Sequence, residues 1–104
     1  MKRVLINKAS YLDKSELERL NTAIYFAEKA HEGQFRISGE PYITHPFAVT
    51  EILLDCKADI ITLVAALLHD VVEDTNYTIE EIRDTFGEKK WRNFVNKCLL
   101  SLYL

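Results

Sequence analysis

One histidine and three carboxylates fall within six residues of this chain, in the run His69-Asp70-Val71-Val72-Glu73-Asp74. The stretch before them, Ile60 to Leu68, is apolar nearly all round. The cluster therefore closes a helix suited to the middle of a core. At about 100° per residue, His69 and Glu73 share one line along that helix and Asp70 and Asp74 the next, an arc of about 140° in all. Three carboxylates on one patch repel one another, and a helix C-terminus adds the negative end of the macrodipole. When partly buried, such a cluster is either protonated or meets a cation. The nearest basic residues in sequence are Lys57 and Arg83, which leaves a metal ion as the economical partner. Imidazole with carboxylate suits Mn²⁺, Fe²⁺ or Zn²⁺ better than Ca²⁺. His69 and Asp70 can reach one ion together, but the ion needs at least one more protein ligand. Of the three histidines, His45 is the candidate. Glu73 and Asp74 then stand beside the ion, able to orient and deprotonate a water. The competing reading is a solvated helix end that holds no ligand.

A second group of residues sits between Glu32 and Ile43. Gly33, Gly39 and Pro41 keep this stretch out of helix and make it a loop. Arg36 lies in it beside Phe35 and ahead of Tyr42. An arginine among aromatics can stack on a base or hold a phosphate, and it can equally be a solvated loop residue. His31, just before the loop, is either a partly buried histidine at a helix end or a polar group pointing into a site.

These residues need helices to position them. Residues 1–14 read as a short lead-in. Ser15 with Glu18 forms a capping-box pattern, and Leu17, Leu20, Ile24, Ala27 and His31 then mark one apolar helical face. Thr44 suits the N-cap of a second helix, with Pro46 tolerated in its first turn and Val49, Ile52, Leu53 and Cys56 as its apolar face. Asp59 caps the third, central helix, which runs to about Val72. Thr78 with Glu81 is another capping box, opening a helix from Ile79 to Phe86 that ends at Gly87. A last helical segment runs from Glu88 to Leu104, with Trp91, Phe94, Val95, Cys98, Leu99 and Leu102 on its apolar side.

The totals agree with a single all-α domain of about five helices. Three glycines and two prolines in 104 residues are too few for a turn-rich β-sandwich. A net charge of -3 carries no footprint for nucleic acid, so an anionic small substrate needs a local cation. No run is long and apolar enough for a membrane span or a signal peptide. Cys56 and Cys98 lie far apart in helical contexts and read as reduced thiols of a cytoplasmic protein.

Three ordered stretches resemble a known family: His31-Glu32-Gly33-Gln34-Phe35-Arg36, Ser38-Gly39-Glu40-Pro41-Tyr42-Ile43-Thr44-His45-Pro46, and Ala66-Leu67-Leu68-His69-Asp70-Val71-Val72-Glu73-Asp74-Thr75. They are similar to the hydrolase domain of RelA/SpoT homologues, in the HD superfamily of metal-dependent phosphohydrolases, over about residues 17 to 87. The resemblance implies an HD-type helical bundle. It also implies Mn²⁺-dependent removal of the 3′-pyrophosphate from (p)ppGpp, with water attacking phosphorus. His45, His69 and Asp70 fall on family metal-ligand positions, Glu73 and Asp74 on the acidic pair that positions the water, and Arg36 on the loop arginine that packs against the nucleotide.

Two departures stand out. The family usually has Lys after that arginine, where this chain has Ile37. The family's later helices supply a further aspartate ligand, and the residues from Asn93 to Leu104 offer no counterpart. The expectation is one HD-type domain over 1–104 without those helices, holding its ion through three ligands and so more weakly. A second functional expectation is a non-catalytic helical module that binds a partner or self-associates through the apolar segment Cys98 to Leu104. A third is an enzyme removing phosphate from NADPH, as small stand-alone relatives do.

Overall fold

The helix the chain is built around runs Ile60–Asp74 and buries Ile60, Leu63, Val64, Ala65, Leu67, Leu68 and Val71. Those positions cover more than one face, so the helix needs neighbours on several sides. A computed structural model describes residues 2–78, 80 and 81, and supplies them. Four α-helices are described: α1 (Lys2–Lys8), α2 (Lys14–Ala30), α3 (Thr44–Asp55) and α4 (Ile60–Asp74). α4 packs against both α2 and α3, while α1 lies mainly on α3 and touches α2. The all-α expectation is borne out.

The core joins Leu20, Ala23, Ile24, Phe26 and Ala27 of α2 to Phe47 and Leu54 of α3 and to the inner residues of α4. α1 was not foreseen, since residues 1–14 read as a lead-in. It is helical because Leu5, fully buried, and Ala9 just beyond its end give it something to dock with. An isolated seven-residue helix is too short to persist in water, so its tertiary contacts make it.

Three details of the sequence reading are corrected. The N-cap of α2 is Asp13, not Ser15. Asp13 Oδ1 accepts from Glu16 N–H at 2.8 Å and Glu16 Oε1 accepts from Asp13 N–H at 3.1 Å. Two overlapping capping boxes were available, and the earlier one adds half a turn of helix. The N-cap of α3 is Ile43 rather than Thr44, whose hydroxyl donates instead to Pro41 C=O at 2.8 Å. The buried face of α3 is Pro46, Phe47, Thr50 and Leu54. Val49, Ile52 and Cys56, expected inside, are exposed. Thr50 tolerates full burial because its hydroxyl donates to Pro46 C=O at 2.8 Å.

Asp59 is the N-cap of α4, as expected, but its carboxylate accepts from the Thr62 hydroxyl rather than from a backbone N–H. The capping box at Thr78 and Glu81 is present in both directions. The expected helix over Ile79 to Phe86, the Gly87 cap, the segment Glu88 to Leu104, Cys98 and self-association through Cys98 to Leu104 lie outside the described residues. Cys56 carries a free thiol. Among the described residues, no helix is long and apolar enough to cross a membrane.

Candidate metal centre

α4 carries its apolar pattern up to Leu68 and then turns polar on one side while Val71 stays fully buried. This anchors the last turn and holds His69, Asp70 and Glu73 at the edge of the core. His69 Nδ1 lies 3.3 Å from Asp70 Oδ1, and His69 Nε2 lies 3.4 Å from Glu73 Oε1. One donor atom from each of His69, Asp70 and Glu73 can be chosen so that all lie within 4.8 Å of one another. From α3, His45 brings Nε2 to 4.0 Å from the other Asp70 oxygen. His45 stands in the first turn of α3, directly after the loop that ends at Ile43, and its ring reaches across to α4. Asp70 is the most enclosed of the group, with its side chain 14% exposed.

The donor set fits a divalent cation. Each ring nitrogen of His69 faces a carboxylate oxygen. A neutral imidazole has one N–H and so satisfies one of them, leaving a lone pair against the other. A cation among these atoms removes the conflict and offsets the repulsion between the carboxylates. No arginine or lysine is paired with Asp70 or Glu73 among the ion pairs of the described residues.

Asp74, expected to act with Glu73, is placed differently. Its Oδ2 accepts from the Tyr42 hydroxyl at 2.8 Å, and its backbone C=O accepts from Gln34 Nε2 at 2.9 Å. Both donors belong to the loop between α2 and α3. That loop is a tight hairpin in which Phe35 and Pro41 form an antiparallel bridge. Arg36 N–H donates to Glu40 C=O and Tyr42 N–H to Gln34 C=O, each at 2.8 Å. Gly39, at φ +93°, allows the tip to close.

His31, which ends α2, is 2% exposed. Its Nδ1 is 2.9 Å from Gln34 Oε1, and its ring stacks on Tyr42 with centroids 4.8 Å apart. Its Nε2 has no hydrogen-bond partner among the described residues. Tyr42 also meets His45 edge to face at 6.4 Å. The hydrogen bond to Asp74, then burial, then the negative charges of Asp70 and Asp74 push the Tyr42 hydroxyl up to about 12, against an opposing effect of Arg36. Arg36 is exposed and lines a surface groove of about 370 Å³ with Phe35, Ile37, Ser38 and Tyr42. Ile37 points fully into solvent.

The structure thus brings His45, His69, Asp70 and Glu73 together at one end of the bundle. Asp74 is tied to the neighbouring hairpin that carries Arg36. Tyr42 and Gln34 were missed as site neighbours. In the sequence Tyr42 stands out as an aromatic near Arg36, and no local pattern links it or Gln34 to position 74, more than thirty residues on.

Comparison with known proteins places the chain in a family. The profile of the HD domain family matches residues 23–96. The chain is 53% identical over 79 residues to the bifunctional (p)ppGpp synthase/hydrolase SpoT of Escherichia coli K12, covering 76% of this chain and 11% of that protein. It is 59% identical over 61 residues to the guanosine-3′,5′-bis(diphosphate) 3′-pyrophosphohydrolase of Haemophilus influenzae, covering 59% and 9%. Against a probable GTP pyrophosphokinase of Mycobacterium leprae it is 49% identical over 86 residues, covering 83% and 11%. The chain spans about a tenth of the length of these relatives. With the helical fold, the histidine–carboxylate cluster and the family match in agreement, the chain belongs to the HD domain family and is a homologue of the SpoT and RelA type.

Proposed function

We propose that these residues form the hydrolytic site of a metal-dependent phosphohydrolase acting on guanosine 3′,5′-bis(diphosphate), with 1–104 as one HD-type unit working in the cytoplasm. The observation that carries the reading is the convergence of His45 from α3 with His69, Asp70 and Glu73 from α4. The activity for which the pyrophosphohydrolase relatives are named supports the substrate.

His45, His69 and Asp70 hold the cation, most simply Mn²⁺. When bound, such a cation supplies Lewis-acid activation of water and of a phosphoryl oxygen. Arg36 holds the nucleotide at the hairpin groove, by stacking on the base or by charge against phosphate, and buried His31 supports that hairpin through Gln34 and Tyr42. Water attacks phosphorus of the 3′-pyrophosphate and the ester P–O bond breaks. Glu73 and Asp74 take the proton from the attacking water, and the leaving oxygen gains one.

A second reading is favoured by Ile37, which puts an exposed apolar side chain beside Arg36 where a second cation would help bind phosphate. On that reading the chain is a helical module that keeps the ion but not turnover.

The test is pyrophosphate release from ppGpp with Mn²⁺ present, alongside metal content. His69→Ala is expected to lose both metal and turnover. Glu73→Gln is expected to keep metal and lose turnover. Metal retained by the wild type with no release supports the module. Phosphate release from NADPH instead would redirect the substrate. A wild type that retains no Mn²⁺ would sink the site.

A further inference from the structure

Asp74 is the last residue of α4 and lies exposed at its end. A terminal aspartate in that position ordinarily samples several rotamers, and its C=O belongs to the carbonyls that lack a partner within the helix. Here both groups are held by one hairpin. Gln34 caps the carbonyl at 2.9 Å and the Tyr42 hydroxyl donates to Oδ2 at 2.8 Å. Tyr42 is itself fixed on several sides. Its N–H donates to Gln34 C=O, its ring stacks on buried His31, and it meets the His45 ring in a T-shaped contact. Among the described residues the donor to this carboxylate is the Tyr42 hydroxyl, on Oδ2, so Oδ1 is the oxygen that can accept a proton.

We propose that Tyr42 is a positioning residue for Asp74, holding the carboxylate in the orientation from which it takes the proton of the attacking water. This rests on the hydrolytic reading above. It makes the hairpin that carries Arg36 responsible for two tasks, reaching the nucleotide and setting the carboxylate. The hydroxyl acts through Asp74, to whose Oδ2 it donates.

Tyr42→Phe keeps the ring and its stacking on His31 and removes only the hydroxyl. With Mn²⁺ and ppGpp, kcat is expected to fall about tenfold with KM unchanged, the scale of losing a group that orients a reacting one. Arg36→Ala is expected to raise KM instead. In an Asp74→Asn background, Tyr42→Phe is expected to have no further effect on kcat. An equal fall on both backgrounds, or a change confined to KM, overturns the proposal.

A second measurement does not depend on turnover. Side-chain NMR of Asp74 is expected to show one χ1 rotamer in the wild type and rotamer averaging in Tyr42→Phe. Averaging already present in the wild type overturns the proposal even if the enzyme is active. A fixed Asp74 that Tyr42→Phe releases, in a chain that does not hydrolyse ppGpp, supports the placement by Tyr42 while the hydrolytic reading falls.

Discussion

His69 is flanked at both nitrogens by carboxylate oxygens, and Tyr42 is flanked by two histidine rings and Asp74. The first arrangement follows from local spacing, since 73 lies one turn from both 69 and 70 on any α-helix and 69 and 70 are consecutive. The second does not. It also makes a prediction about pH. The Tyr42 hydroxyl is pushed from its ordinary 10.0 to about 12, first by its hydrogen bond to Asp74. The uncharged phenol is the form that donates, so its contribution is fully present below pH 10, the unfolded value. It is lost as pH rises through about 12. Denaturant unfolding of wild type and Tyr42→Phe should therefore differ by a constant amount up to about pH 10, and the difference should shrink toward pH 12. A difference that stays flat over that window would show that the hydroxyl is not held by Asp74.

Among the elements, α2 and α3 each had two sequence solutions. For α2, D-x-x-E at Asp13 and S-x-x-E at Ser15 are both capping boxes, and the longer helix wins. Asp13→Ala is expected to cost about 1 kcal/mol and Ser15→Ala less than about 0.5 kcal/mol, measured by chemical denaturation. The reverse order would restore the Ser15 cap. For α3, the sequence Phe47 to Cys56 offers an apolar stripe on either side. Packing against α4 and α1 selects Phe47, Thr50 and Leu54. Leu54→Ala is expected to cost about 2–5 kcal/mol. Ile52→Lys, at a site 63% exposed, should leave stability within about 0.5 kcal/mol. Severe destabilisation by Ile52→Lys would mean that the other face of α3 is covered in solution.

For the whole molecule, the candidate ligands come from two helices that meet only in the folded state. His45 is in the first turn of α3, His69 and Asp70 in the last two turns of α4. An ion held by both cannot bind the unfolded chain in the same way, so binding is linked to folding. Mn²⁺ at about one hundred times its Kd should stabilise the fold by about 2.7 kcal/mol. A chelator should reverse the gain, and His45→Ala should abolish most of it. A melting temperature indifferent to Mn²⁺ up to saturating concentrations would argue that α3 and α4 do not share an ion.

The sequence by itself determined the all-α class, the central place of α4 and the acidic cluster at its end, because each rests on period and composition within one helix. It also pointed to His45, as one of only three histidines, and to Arg36, as an arginine among aromatics in a loop, and a resemblance carried by contiguous motifs strengthened both. It did not reveal α1, whose seven residues are helical only because Leu5 has a core to enter. Nor did it choose the buried face of α3, where two stripes of similar apolarity compete and only the neighbouring helices decide. The tie from Tyr42 and Gln34 to Asp74 was out of reach for the same reason. It joins residues 32 and 40 positions apart, and a hydrogen bond at that separation exists only once α2, α3 and α4 have packed and brought the hairpin against the end of the central helix.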